Sequence, residues 1–404
     1  MKNLLFSLSL IFVLLTSCKT EEELQVNSIS FDSTQVQVNI GESVTLTVTQ
    51  TPANLPVLTY SWISLSPSIA TVENGIVKGI SEGTTQVRVT SLTNQSLTDE
   101  CTIVVRMLGT SDNPYLIKNI ADLISMRDNI NNNNAIYGNK SYKLMSDLDF
   151  INEQSWIPIG TTFNAFTGIF NGNGKTIKNI RIGTSTSQVF ENGGLFGRID
   201  GGEIINLGIH WSILNSRSYT GALCGELHGG TIINCYSTGQ ILSSQIVGGI
   251  VGELKNGTIT NCYSSCSITA NNTANAAIYN GGIVGKSNDL VNEGGLVSNC
   301  IALNSSLISI NSNSYPNRIA NFFYPETAIN NYASASMVVQ KGSSIDNLTT
   351  KTSFTNVKND GLNLTGNPID LLNAYVLTNP NYNGVKLNKW KVQQGLNNGN
   401  PIFE

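Results

Sequence analysis

Five short phrases of one kind dominate the second half of the chain. They are Thr176-Ile177-Lys178-Asn179-Ile180, Glu203-Ile204-Ile205-Asn206-Leu207, Thr231-Ile232-Ile233-Asn234-Cys235, Thr258-Ile259-Thr260-Asn261-Cys262 and Leu296-Val297-Ser298-Asn299-Cys300. Their asparagines are separated by 27, 28, 27 and 38 residues. Between them runs a glycine phrase, Gly193-Gly194-Leu195-Phe196-Gly197, which returns at Gly221, Gly248 and Gly281 with spacings of 28, 27 and 33. Self-similarity at such a period signals stacked repeats. A unit near 27 residues with no helical phrase is too short for a propeller blade and suits one coil of a parallel β-helix.

Coils stacked at the inter-strand distance of about 4.8 Å place equivalent residues in vertical ladders. The first Ile or Val of each phrase then points inward, and the variable position after it (Lys178, Ile205, Ile233, Thr260, Ser298) points outward. The asparagine falls at a corner, where it tolerates the left-handed conformation, and stacked amides can bond from coil to coil. The longer spacings predict loops around Asn271 to Tyr279 and Asn288 to Glu293. With 52 Asn and 37 Gly among 404 residues, the composition also disfavours helices. The formal charge of -4, with no basic block, excludes the positive footprint of a nucleic-acid binder.

These phrases resemble the GLUG-type repeats of bacterial surface proteins, and the resemblance implies a right-handed β-helix over residues 107–404. Asn113 to Ile117, Ala121-Asp122-Leu123, Tyr142 to Leu144 and Trp156 to Gly160 are similar to the entry region of that family. The amphipathic stretch Ile120 to Ile130 is expected to be a short N-terminal capping helix, because an open sheet edge invites aggregation. Asp370 to Tyr375 and Trp390, ending at Pro401, are expected to form the opposite cap.

Residues 25–106 alternate apolar and polar positions in short runs (Val36, Val38; Val44, Leu46, Val48; Val87, Val89; Ile103, Val105) split by turn residues. That is the signature of an antiparallel sandwich. Trp62 is the expected plug between its sheets and Asn74-Gly75 a hairpin turn. Gly41 to Leu46, Trp62 to Ser68 and Ile69 to Gly79 resemble the group 2 bacterial Ig-like domain. The fold expected for the whole chain is therefore all-β, an N-terminal Ig-like β-sandwich followed by the parallel β-helix.

Residues 1–18 carry one Lys and then an apolar run too short for a comfortable membrane span. The run ends in Leu15-Thr16-Ser17-Cys18, which resembles the lipobox of bacterial lipoproteins and implies lipidation of Cys18. Lys19 to Glu23, within an acidic tether at 19–24, is similar to the tag that sends some lipoproteins of diderm bacteria outward. The partner implied is a membrane, reached through the lipid anchor, and the location an outer membrane surface.

Chemistry is harder to find. No GxSxG, HExxH or P-loop phrase occurs, and the two histidines, His210 and His228, leave little room for a His-based triad or metal centre. No catalytic residue, metal or cofactor is expected. Arg198, Glu226, Glu253 and Lys286 share one column, read as charge pairing on an exposed face; two carboxylates on adjacent coils are also the spacing of a retaining glycosidase. Cys235, Cys262 and Cys300 share another column with apolar residues and are read as small hydrophobes with free thiols. Trp211, Tyr236 and Tyr263 are candidates for stacking against a sugar, with a structural aromatic ladder as the alternative.

The resulting expectation is a non-enzymatic surface lipoprotein whose β-helix serves adhesion or glycan binding, with host or dietary glycans or surface proteins as partners. A carbohydrate-active enzyme and a passive scaffold are the alternatives, and fold alone does not choose among them.

Overall fold

The computed structural model describes residues 25–153, 155–271, 277–287, 295–321, 328–346, 360–393 and 397–404. The leader with Cys18, the tether, and most of the two expected loops lie outside the described residues. The chain divides into two compact units between Met107 and Leu108.

In the first unit a four-stranded sheet pairs Gln35–Asn39, Thr98–Arg106, Gly83–Ser91 and Tyr60–Ser64. A three-stranded sheet pairs Ser43–Thr45, Ile76–Gly79 and Ala70–Glu73. Alternation buries Val87, Val89, Cys101, Ile103 and Val105 against Ala70 and Val77. Asn74 (φ 49°) and Gly75 (φ 82°) make the hairpin turn between the second and third of the smaller sheet's strands in space. Trp62 packs against this core from the larger sheet toward Gly75 of the smaller sheet's hairpin, but it is half-buried rather than central, with its ring 5.8 Å from that of Phe31.

The second unit is a β-solenoid. One eight-stranded parallel sheet runs in chain order through Tyr115–Ile117, Ser141–Leu144, Ile169–Asn171, Glu203–Ile205, Thr231–Ile233, Thr258–Thr260, Leu296–Ser298 and Ala328–Ile329. Ile204, Ile232, Ile259 and Val297 stand directly over one another and all point into the core. Asn206, Asn234, Asn261 and Asn299 follow at the corner with φ of 54°, 54°, 52° and 52°. The glycine phrase lies at the junction of two further parallel sheets. A Cβ on Gly248 would sit 2.0 Å from the Val251 carbonyl oxygen, so the chain can bend there only without a side chain.

One phrase is out of register. Thr176 and Ile177 pair with Gly208 and Ile209, on the next sheet, whereas Ile169 to Asn171 pair with Glu203 to Ile205. The place of the phrase in the ladder is held by Ile169 to Asn171, and Thr176 to Ile180 follows beyond the turn Gly172-Asn173-Gly174-Lys175, which carries two more residues than the corner above it. Asn179 is left-handed (φ 58°), but at a strand irregularity.

The capping helix spans Ile120–Asn132, is N-capped by the Asn119 side chain, and puts Leu123, Met126 and Ile130 into the solenoid core. The C-terminal segment differs from the expected end cap. Its helix Pro368–Thr378 and the strands that follow form a strap along the side of the coils. Leu372, Val376, Leu387, Trp390 and Phe403 make a second core there with Ile205, Ile233, Tyr236, Tyr263 and Ile301. The strap exists because the outward positions of these coils are apolar: Ile205 and Ile233, expected to face water, are 0% and 1% exposed.

Candidate functional site

The strap fixes both the fate of the aromatic residues and the shape of the surface beside them. Tyr236 and Tyr263 stack one coil apart, centroids 5.3 Å and planes 2° apart. Trp390 meets both edge-on, at 6.1 and 5.7 Å. The Tyr263 hydroxyl donates to the Pro401 carbonyl, and the Tyr236 hydroxyl lies 2.9 Å from Thr176 Oγ1. Both rings are therefore spent on holding the strap. Trp211 points into the coil, 1% exposed, with its indole N–H on the Ala222 carbonyl at 3.1 Å. Trp211, Tyr236 and Tyr263 offer no free face to a sugar, and the candidate stacking platform is corrected to a buried structural ladder.

Between the strap and the coil wall a cleft of about 630 Å³ opens. Its coil wall carries Lys178, His210 and Thr238, and its strap wall Lys391, Asn398 and Asn400. Hydroxyl and amide groups predominate, over the edges of Tyr236 and Phe403. His210 Nδ1 is 2.7 Å from Thr238 Oγ1. Partial burial, helped by the positive Lys178, lowers the His210 pKa below its ordinary value, so the imidazole is neutral near pH 7. A wall of this kind can exchange hydrogen bonds with a neutral polyhydroxylated ligand.

A second cluster stands on another sheet, that of Phe196–Asp200, Cys224–His228 and Val251–Lys255. The column Arg198, Glu226, Glu253, Lys286 is in register as expected. It is not an exposed ladder, however: Glu226 and Glu253 are only 8% and 6% exposed. His228, two residues along the strand from Glu226, lies between them. Its Nε2 is 3.3 Å from Glu226 Oε2 and 3.8 Å from Glu253 Oε2. Asn192 donates to the other Glu226 oxygen at 2.5 Å, and Arg198 reaches Glu226 Oε2 at 3.3 Å. Burial alone would raise the Glu226 pKa, but His228, Asn192 and Arg198 outweigh it and keep it lowered. Glu226, then Glu253, raise that of His228. Sequence reasoning missed His228 because it lies beyond the conserved length of the glycine phrase, where neighbouring coils carry Asp200 and Lys255.

The Cys235, Cys262 and Cys300 column is buried and apolar, and the six described cysteines are free. Among the described residues no helix is long and apolar enough to cross a membrane.

Comparison with known proteins agrees with this architecture. Residues 25–101 match the bacterial Ig-like domain (group 2) family, and residues 216–242 match the GLUG motif. Halomucin from Haloquadratum walsbyi is 32% identical over 227 residues, covering 55% of this chain and 2% of its own length. A protein of Evansella cellulosilytica, provisionally named a Gly-rich membrane protein, is 32% identical over 130 residues, covering 30% of this chain and 14% of its own. The chain thus spans a small part of both curated relatives. A crystal structure from Bacteroides ovatus, provisionally named an immunoglobulin A1 protease, aligns with a TM-score of 0.54 and 22% identity over 73% of this chain and 94% of that one. That likeness is one of fold.

Proposed function

We propose that the chain is a lipid-anchored protein of the bacterial cell surface, probing glycans non-enzymatically through the cleft between its coils and C-terminal strap. The observation that carries this reading is the cleft itself, about 630 Å³ and rich in amide and hydroxyl groups. That composition suits sugar hydroxyls, and a cleft of this size falls in the range of small-ligand sites. The lipobox-like Cys18 supplies the anchor in this reading, and the Ig-like unit a spacer. One relative named a halomucin and another named a membrane protein are consistent with a place at the cell envelope.

A glycan array and a reducing-end release assay on the same purified full chain test the reading. Binding without release, abolished by Lys391→Ala together with His210→Ala, is the expected result. Release of reducing ends overturns it in favour of a carbohydrate-active enzyme, and neither binding nor release leaves a passive scaffold. Labelling with palmitate, lost in Cys18→Ala, tests the anchor.

A further inference from the structure

The buried Glu226 and Glu253 and the half-buried His228 have no part in the cleft described above. Their ligand atoms, one imidazole nitrogen and two carboxylate oxygens, all lie within 4.8 Å of one another. We propose that these three residues form a binding site for a first-row divalent cation of the zinc class.

The first support is an incomplete set of contacts. The Nε2 atom of His228 is buried and makes no hydrogen bond, although two carboxylates flank it. The Glu253 side chain is 8% exposed, and the basic groups beside it are Lys255 Nζ at 3.7 Å and His228 Nε2 at 3.8 Å. Both distances exceed the roughly 2.7–2.9 Å of a charge-assisted hydrogen bond. A carboxylate nine-tenths buried with no hydrogen bond is costly unless something else meets it.

The second support is metric. Ligands about 2.0–2.1 Å from a tetrahedral ion stand roughly 3.3 Å apart. His228 Nε2 and Glu226 Oε2 already have that separation, 3.3 Å, while Glu253 Oε2 stands 3.8 Å from His228 Nε2, and a rotation of the Glu253 carboxylate toward the other two ligands, all now within 4.8 Å of one another, would complete the set. An imidazole nitrogen among the ligands selects zinc-class ions over calcium or magnesium, which take oxygen. Asn192, bonded to Glu226 Oε1, holds that carboxylate so that Oε2 faces inward, the supporting role expected outside a metal's own ligands. Water would complete the coordination.

Two cations already stand near, and both can yield. Arg198 also contacts Asp200 at 3.5 Å, so it keeps a partner when the ion takes Glu226 Oε2. The Lys255 side chain is one-third exposed and can turn to water. The ligands come from two adjacent coils, so the ion would staple neighbouring turns of the solenoid.

The test uses the full chain, stripped by a chelator and titrated with Co²⁺, then with Zn²⁺. A visible Co²⁺ absorption band should saturate at one equivalent and disappear on addition of Zn²⁺, and Zn²⁺ should raise the melting temperature. His228→Gln and Glu253→Gln should each weaken binding at least about tenfold, while Glu191→Gln, on the exposed rim, leaves it unchanged. If His228→Gln does not fold, Glu253→Gln decides, because that side chain accepts no hydrogen bond whose loss would unsettle the coil. Absence of a saturable band, a folded variant of either residue that binds as tightly as the wild type, or a thiolate charge-transfer band placing the ion on cysteine would each overturn the proposal.

Discussion

The side-chain amide of Asn234 donates to the side-chain oxygen of Asn206, one coil away, across 2.7 Å. Asn261 repeats the contact onto Asn234, again at 2.7 Å. Asn234 also donates to the Asn388 carbonyl of the strap at 2.9 Å. One fully buried residue therefore serves a left-handed corner, two neighbouring coils and the strap. Asn234→Ala should destabilise the solenoid by about 3 kcal/mol or more, since it strands buried polar partners and strains the backbone. Asn234→Gly should recover about 1 kcal/mol of that by removing the strain alone. Equilibrium urea unfolding measures both, and equal losses for Ala and Gly would refute the backbone part.

The stacking was legible because ladder positions repeat their chemistry. Ile204, Ile232, Ile259 and Val297, with the asparagines after them, carry the same instruction coil after coil. The strap was not legible, because Leu387, Trp390 and Phe403 repeat nothing, and only the apolar outward residues Ile205 and Ile233 hinted that something must cover them. The misplaced phrase at Thr176 shows the limit of spacing alone: Asn179 stands 27 residues before Asn206, yet the partner of Glu203 in the sheet is Ile169, and Thr176 pairs on another sheet. The Glu226–His228–Glu253 cluster needed three dimensions, since the acids come from one column and the histidine from its neighbour.

Trp390 is the strap's principal anchor, 1% exposed and 4.5 Å from Phe403 ring to ring. Asn373 bonds both its backbone N–H and its carbonyl, at 2.8 and 2.9 Å, tying the helix to this strand. Trp390→Ala should cost about 3–5 kcal/mol of strap docking, leaving the coils folded behind it. Limited proteolysis should then cut within residues 368–404 while the far-UV spectrum of the coils persists. The cleft would lose one wall, and glycan binding with it. Proteolysis no faster than in the wild type would show that the strap does not depend on this residue.

The buried cysteines make a prediction about access. Burial raises the pKa of Cys266 to about 11 and pushes those of Cys224, Cys262 and Cys300 upward as well. Thiolate is the reactive form, and these sulfurs are shielded besides. In the native protein a thiol reagent should leave all six described cysteines unmodified, and in denaturant it should label all six. Mass spectrometry of peptides reads the outcome site by site. Labelling of Cys262 before unfolding would mean that the solenoid opens between coils.

His210 gives the cleft a pH dependence whose sign follows from its surroundings. Partial burial first, and the positive Lys178 second, lower its pKa from 6.5, while Asp147 and Lys391 are the other charged groups lining the same cleft. Between the folded value and 6.5, the unfolded chain binds the proton that the folded protein refuses. Stability therefore rises with pH through that window. The contribution of a neutral His210 is complete above pH 6.5 and is lost as pH falls through the lower, folded value. The stability of the wild type relative to His210→Asn should accordingly be flat above pH 6.5 and decline on acidification below it. Taking the difference between the two proteins cancels His228, which titrates in both. Lys178→Met should move the His210 imidazole resonance toward the ordinary midpoint in an NMR titration. A midpoint at or above 6.5 in the wild type, or a difference curve that climbs on acidification, would remove the neutral imidazole from the cleft wall.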